Sequence, residues 1–357
     1  MKIKAAVTPQ TGQPFEMTDI ELPELESKDV LIKVIASGIC HTDVSGRDTG
    51  MVDPPAVLGH EGAGIVEETG FEVTDLQKGD HVVVSFASCG HCDNCMTGHP
   101  AHCRHYGELN LNSHIDQDTN KLVSRFFGQS SFATYSLVNQ RNVVKIDEDM
   151  DLALAAPLGC GLQTGASSVL NVLKPEAGSS IAVYGVGAVG LSAIMAAKIA
   201  GCKNIIAIDL HENRLELAEE LGATASIKSG KDVDIAEKIK EITGGGVQHA
   251  LDTTGVDSVV AQAIAALDSF GKLATVVTDY HLSIPLEILA LRGASIVGTS
   301  QGDATPQTFI PEMISYYKKG QFPFDRMVKF YEFDQINKAF EESENGSVIK
   351  PVLKMNH

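Results

Sequence analysis

Ser180-Ile181-Ala182-Val183-Tyr184-Gly185-Val186-Gly187-Ala188-Val189-Gly190 decides the fold of this chain. A short apolar run ends on the first glycine of a G-x-G-x-x-G pattern, and an almost wholly apolar segment continues to Ala197. Small-residue breaks and Lys198 argue for a buried strand followed by a buried helix, not a membrane span. Asp209 closes the next apolar run, Asn204-Ile205-Ile206-Ala207-Ile208, nineteen residues after Gly190. Strand, glycine turn, helix and a distant acid form a dinucleotide-binding pattern. In it Gly185 makes the turn, Gly187 admits a pyrophosphate, and Gly190 packs the helix on the strand with its N-terminus toward the phosphates. Asp209 accepts bonds from ribose hydroxyls and repels a 2′-phosphate, so the expected cofactor is NAD and not NADP. Arg214 is either a basic group beside that ribose or a solvated helix residue.

Outward from this stretch the pattern repeats. Residues 189–200 read as a helix, 204–208 as a strand, and 213–221 as a polar helix ended by Gly222. Segments 235–243, 259–267 and 272–277 continue the alternation, which ends near 296–298. Such βαβ repetition implies a parallel, doubly wound sheet. Before residue 150 the chain reads as mostly β, with a strand at 30–35, a turn feeding a strand over 78–84, and another strand at 133–138. After about residue 301 come helices at 308–319 and 333–342 and a closing apolar run at 348–353.

A length of 357 residues suggests about two domains. A formal charge of −18 argues against nucleic acid or an anionic membrane as partner, and the absence of Trp argues against a base-stacking surface. The N-terminus, Met1-Lys2-Ile3-Lys4-Ala5-Ala6-Val7, lacks the apolar core of a signal peptide, so a cytoplasmic location is expected. Seven cysteines, an odd number, disfavour a disulfide framework.

Their clustering points to metal. Cys89, Cys92, Cys95 and Cys103 follow C-x2-C-x2-C-x7-C, which suits a closed tetrahedral zinc site. A bacterial iron–sulfur run has three residues before its last Cys and Pro after it, which this segment lacks. A redox switch would not need four thiols. A closed zinc site staples a loop and does no chemistry. His91, His99, His102 and His105 read as solvated loop histidines, and Cys202 as a buried apolar residue outside every motif.

Two further clusters are Gly38-Ile39-Cys40-His41-Thr42-Asp43 and Gly59-His60-Glu61-Gly62-Ala63-Gly64. Cys40 and His60 are both suited to zinc, with Asp43 and Glu61 as neighbouring carboxylates of the kind that orient metal-bound imidazoles.

On these two clusters the chain resembles the zinc-containing alcohol dehydrogenases of the medium-chain dehydrogenase/reductase superfamily, over residues 2–354. Phe127-Gly128-Gln129-Ser130-Ser131-Phe132-Ala133 and Gly159-Cys160-Gly161-Leu162-Gln163-Thr164-Gly165 resemble the aryl-alcohol (benzyl alcohol) dehydrogenase branch. The resemblance implies an α/β two-domain fold. A discontinuous GroES-like β-barrel catalytic domain would span 1–160 and 301–357, and a Rossmann NAD-binding domain 161–300. It implies two zinc ions per chain, one structural at the four cysteines and one catalytic. Cys160, which by residue type alone reads as a buried apolar side chain, becomes the third catalytic ligand beside Cys40 and His60. Two thiolates and a neutral imidazole would cancel the charge of Zn²⁺ and leave a fourth position for an alcohol. Hydride would then pass to NAD from a zinc-bound alkoxide.

The same resemblance implies a role for Thr42 in taking the substrate proton. Ser45 stands where many relatives have a relay His, so the proton would leave through water or another group. Asp43 would hold His60, and Glu61 would assist ligand exchange. His41 is either a pyrophosphate contact or an exposed loop residue. Thr164, Val189 and Val276 would pack the nicotinamide, and Lys350 would bind pyrophosphate. Phe86 and Leu111, and after them Phe126 and Phe127, are candidate pocket walls, each also readable as plain core. The implied substrates are primary aromatic or allylic alcohols such as benzyl alcohol or geraniol. The alternatives are a polyol or secondary-alcohol dehydrogenase, whose branch commonly has Glu where Cys160 stands, and a non-enzymatic zinc/thiol sensor. By analogy the chain is a homo-oligomer, dimer or tetramer, pairing through residues 295–298.

Overall fold

A computed structural model describes residues 1–277 and 286–357. They form two compact units, the first built from Met1–Cys160, Thr305–Ser315 and Phe324–His357, the second from Gly161–Ala304 and Tyr316–Pro323. The return to the first unit thus comes at Thr305, not at the expected residue 301. The turn Gln301–Asp303 belongs to the second unit because it is tied there: Ser167 Oγ donates to the Gly302 carbonyl at 2.7 Å, and Thr164 Oγ1 lies 3.4 Å from Gln301 Oε1.

The first unit is built on strand Asp29–Gly38, whose Val30, Ile32 and Val34 are all buried. It pairs antiparallel with Gly62–Thr69, with Tyr135–Asn139 and, at its far end, with the C-terminal strand Lys350–Lys354. His81–Val84 and Val143–Lys145 extend one side of this seven-stranded sheet, and Val328–Glu332 the other. A five-stranded sheet accompanies it, in the order Ala56–Val57, Lys2–Thr8, Glu16–Glu21, Lys121–Ser124, His114–Asp116. One core cluster gathers Val30, Ile32, Val66, Val82, Val84, Val138 and Val143; β-branched side chains of this kind pack well on pleated surfaces. A larger one holds Ile39, Leu58, Phe126, Phe132 and Phe340. Burying each such side chain contributes about 1.5–3 kcal/mol.

The second unit holds a six-stranded parallel sheet: β1 Ser180–Tyr184, β2 Asn204–Asp209, β3 Ala225–Lys228, β4 Val247–Asp252, β5 Leu267–Thr275 and β6 Ser295–Gly298. Their order is β3-β2-β1-β4-β5-β6, a Rossmann arrangement that reverses direction between β1 and β4. Helix Ala188–Ile199 has eight consecutive buried residues, Gly190 to Ala197, which explains an apolar sequence without a polar face. The polar helix Glu212–Leu221 buries only Leu215, Ala218 and Leu221. Among the described residues, no helix is long and apolar enough to cross a membrane.

Candidate active site

Strand register assembles the first cluster. Ser37 lies opposite Gly62, and Leu353 opposite Ser37. Cys40, just past one strand, therefore meets His60 and Glu61, just before the second, and Lys350 at the start of the third. Gly38 N–H donates to the Glu61 carbonyl at 3.0 Å, and Ile39 N–H to the Pro351 carbonyl at 3.0 Å. Cys160 follows the turn Ala156–Gly159, which Ser85 Oγ pins by donating to the Gly159 carbonyl at 2.7 Å. The result is one set of donors: an atom from each of Cys40, His60, Glu61 and Cys160 lies within 4.8 Å of the others.

Asp43 orients this set. It sits in the first turn of helix His41–Asp48 and reaches back to the helix start, where Oδ2 accepts the Cys40 N–H at 3.0 Å. Its Oδ1 accepts the Gly59 N–H at 3.0 Å and lies 2.9 Å from His60 Nδ1. An acceptor at Nδ1 fixes the proton there and leaves the lone pair on Nε2. His60 Nε2 is buried with no hydrogen-bond partner among the described residues. Such an atom costs about 1–3 kcal/mol unless a ligand takes it. A metal ion between His60 and two sulfurs fits this donor set. Without a cation the sulfurs divide the charge. Their mutual hydrogen bond pulls Cys40 well below the usual thiol range, and the same contact, together with burial, pushes Cys160 well above it. Burial opposes the charged form of His60, but the Asp43 carboxylate more than offsets this and lifts His60 to about 10. A dication reverses that logic: it holds both sulfurs as thiolates and the imidazole neutral.

Lys350 is buried against Glu61. Its Nζ lies 3.0 Å from both Glu61 carboxylate oxygens and 3.0 Å from the Ile39 carbonyl. These contacts make Lys350 the counter-charge of Glu61. Burial pushes Glu61 upward, and Lys350 opposes that shift. Gly38 makes the arrangement possible, because a Cβ there would stand 2.0 Å from Glu61 Oε2.

Thr42 is half-buried, with Oγ1 3.8 Å from Cys40 Sγ. Ser45 is half-buried on the same helix, and His41 is exposed at its start. The segment 127–133 packs directly on His60. Phe127 stacks on the imidazole at 4.5 Å and 26°, and Phe126 meets it edge-on at 5.6 Å. Phe127 holds a left-handed backbone, φ 51°, which costs on the order of 1–3 kcal/mol. Gln129 Nε2 donates to the His60 carbonyl at 2.9 Å, while its Oε1 accepts the Gly62 N–H at 3.1 Å. Phe86 is buried and joins this cluster through Tyr106, at 6.0 Å from Phe86 and 6.3 Å from Phe127. Tyr106 and Gln129 were not legible as site residues. Leu111, the other candidate pocket wall, stands 38% exposed just past helix Tyr106–Asn110. The same helix turns Tyr106 toward Phe86 and Phe127.

The four sulfurs of Cys89, Cys92, Cys95 and Cys103 form a second set within 4.8 Å. Backbone N–H groups support them: Cys89 N–H and His105 N–H point to Cys103 Sγ at 3.3 and 3.4 Å, and Cys92 N–H to Cys89 Sγ at 3.4 Å. The N–H groups of Arg104 and Cys95 bring Cys92 down to about 6.

In the second unit, Gly185 turns the chain after β1 with φ +81°. A Cβ on Gly190 would lie 1.9 Å from the Gly185 carbonyl oxygen, whereas one on Gly187 would meet no protein atom within 4 Å. Protein packing therefore demands glycine at 190 but not at 187, where open space fits a closely approaching pyrophosphate. Asp209 ends β2; its Oδ2 accepts the Val186 N–H at 2.8 Å and its Oδ1 the His211 N–H at 2.9 Å. Arg214 Nη1 stands 4.0 Å from Asp209 Oδ2. Thr164 is buried in helix Gly161–Ser167, Val189 is half-buried in the helix after the glycine turn, and Val276 follows β5. Thr253, just past β4, was not foreseen. Its hydroxyl bonds the Tyr184 and Gly185 carbonyls at 3.0 and 2.9 Å and so braces the glycine turn.

Comparison with known proteins agrees with this geometry. Residues 26–148 match the alcohol dehydrogenase GroES-like domain, and residues 188–318 match the zinc-binding dehydrogenase family. Geraniol dehydrogenase of Castellaniella defragrans is 41% identical over 361 residues, covering 98% of this chain and 97% of that protein. The crystal structure of benzyl alcohol dehydrogenase from Acinetobacter calcoaceticus superposes with a TM-score of 0.95 at 46% identity, covering 100% of both chains. An alcohol dehydrogenase zinc-binding domain protein from Burkholderia ambifaria gives 0.94 at 44% identity, also covering 100% of both. With its barrel, its Rossmann sheet and its sulfur–imidazole donor set, the chain belongs to the zinc-containing medium-chain alcohol dehydrogenase family.

Proposed function

We propose that this alcohol dehydrogenase catalyses the NAD-linked, reversible oxidation of primary aromatic or allylic alcohols to aldehydes, with one zinc at Cys40, His60 and Cys160 and another at the four-cysteine lobe. The observation that carries the proposal is His60: Nδ1 is fixed by Asp43, and the unpartnered Nε2 is buried beside two sulfurs. A zinc ion held there supplies Lewis acidity, lowering the pKa of an alcohol hydroxyl and, in reverse, polarising a carbonyl. Asp43 keeps the imidazole in the binding tautomer. Lys350 offsets the charge of Glu61. Thr42 takes the proton of the substrate hydroxyl. Ser45, three residues on along the same helix, is the next polar group through which it leaves, directly or by water. The hydride goes to NAD, for which Asp209 provides the ribose acceptor.

The aromatic cluster Phe86, Tyr106 and Phe127 beside His60 supports a planar, apolar substrate. The two relatives named for geraniol and benzyl alcohol support the same class. Apolar contacts discriminate by about 1–3 kcal/mol per methylene, so a broad range within the class is expected. Cysteines gathered for metal binding and not for disulfides favour a reducing, cytoplasmic setting. Exposed Phe270 and Leu291, 85% and 87% accessible near the β6 edge, favour a homo-oligomer.

The test is formation of reduced nicotinamide from a panel of benzyl, allylic, aliphatic, secondary and polyol alcohols, each with NAD and with NADP, before and after chelation. Chelator-sensitive turnover of benzyl or allylic alcohols with NAD is expected. Activity confined to polyols would overturn the substrate class and keep the chemistry. Equal use of NADP would overturn the reading of Asp209.

A further inference from the structure

A third set of ligating side chains converges on the outer lip of the four-cysteine lobe. One ring nitrogen of His91, one of His105 and the Cys89 sulfur lie within 4.8 Å of one another. Both imidazoles are exposed, with ring centres 6.0 Å apart and planes inclined by 38°. His91 Nδ1 lies 2.9 Å from the Cys89 carbonyl oxygen, which can only accept, so Nδ1 carries the proton. His105 Nδ1 lies 3.2 Å from Glu108 Oε2, which selects the same tautomer. In both rings the lone pair is then on Nε2. Metal-binding imidazoles share this arrangement, with the second nitrogen tied to a carbonyl or carboxylate. Two imidazoles on one tetrahedral zinc, with bonds of about 2.0–2.1 Å, bring their ring centres to about 5 Å. Exposed side chains cover the remaining distance of about 1 Å by ordinary rotamer motion.

We propose that His91 and His105 form a third, exchangeable site for Zn²⁺, with Cys89 as the ligand shared with the lobe. The proposal rests on the reading of the lobe as a zinc site only for its consequence: the shared sulfur makes the outer site the entrance through which lobe zinc is exchanged. Exposure and a short ligand list make this site weaker than the other two. A thiolate with spare lone pairs can serve both ions.

The test is equilibrium dialysis of the whole enzyme against rising free Zn²⁺, with bound metal counted per chain. His91→Ala/His105→Ala serves as the comparison, and both positions are surface residues outside the catalytic set. The parent is expected to hold two tight zinc ions and to take up a third at higher free Zn²⁺. The variant is expected to keep two and lose the third. Its lobe zinc should also pass to an excess of chelator more slowly than the parent's, because the entrance is gone. A third zinc taken up equally by parent and variant, or by neither, would overturn the inference. A parent with only one tight zinc, itself lost in Cys160→Ser, would overturn the lobe assignment, while loss of the weak zinc in the histidine variant would still uphold the histidine site.

Discussion

The two sulfur-rich centres of this enzyme are encoded in opposite ways. The lobe takes all four ligands from one stretch of fifteen residues, Cys89 to Cys103, and holds its sulfurs with backbone N–H groups of that stretch and of His105 just beyond it. The Cys40–His60–Cys160 centre takes its ligands from three distant segments. It is held by side chains: Asp43 on His60, and Lys350, 289 residues from Glu61, on Glu61. A site whose sulfurs satisfy one another needs only a compact loop. A site that must keep a coordination position for a substrate needs its ligands fixed from outside, and strand register supplies the fixing groups.

The sharpest way to break this comparison is to remove one sulfur from each centre. Cys160→Ser should lower turnover by about 10³-fold or more, because the Lewis acid contributes several kcal/mol to the barrier. Metal analysis should show one zinc lost and the lobe zinc retained. Cys95→Ser should do the reverse, lowering Tm by on the order of 10 °C through lost metal binding while the folded fraction still turns over substrate. Equal loss of activity in both variants, measured per folded chain, would mean that the lobe takes part in the chemistry.

The same contrast decides what could be read before the fold was seen. The lobe and the glycine turn were legible because their physics is local: a spacing of thiols, and a glycine at 190 that no side chain could replace. The role of Lys350 was not legible. It depends on Leu353 lying opposite Ser37, and nothing in the residues near 350 carries that register. Segment 127–133 was legible as a family motif but not as a mechanism; its work is to stack Phe127 on His60 and to tie Gln129 to the His60 carbonyl. Strand β4 was not legible because Gln248 and His249 interrupt its apolar pattern. Tertiary contact reverses that penalty, since Gln248 Oε1 accepts the Ser180 N–H at 2.8 Å.

Lys350→Met tests the fixing groups themselves. It leaves the Glu61 carboxylate buried without its partner, which should cost about 3–5 kcal/mol of stability in denaturant unfolding. Glu61→Gln/Lys350→Met removes both charges and should recover most of that loss. A double-mutant cycle with no coupling energy would show that the pair is incidental. The lobe's ion pair of Arg104 with Asp93 offers no parallel, since it is exposed and expected to contribute about 0–1 kcal/mol.

Asp43→Asn makes the finest distinction. All three partners of this carboxylate are N–H donors: Cys40 N–H, Gly59 N–H and His60 Nδ1–H. An asparagine oxygen can keep the last two, but its amide then presents N–H to the Cys40 N–H, and the charge that raises the basicity of His60 is gone. Volume is nearly unchanged, so the fold should survive. Zinc affinity at this centre should fall about 10–100-fold, the usual effect of losing a partner that orients a ligating His. Chelator competition can follow both metals in one sample, with the lobe zinc as internal control because no carboxylate orients its ligands. If both zinc ions left at parental rates, Asp43 would be merely a helix-capping residue. The difference between a locally and a remotely fixed centre would then rest on Lys350 alone.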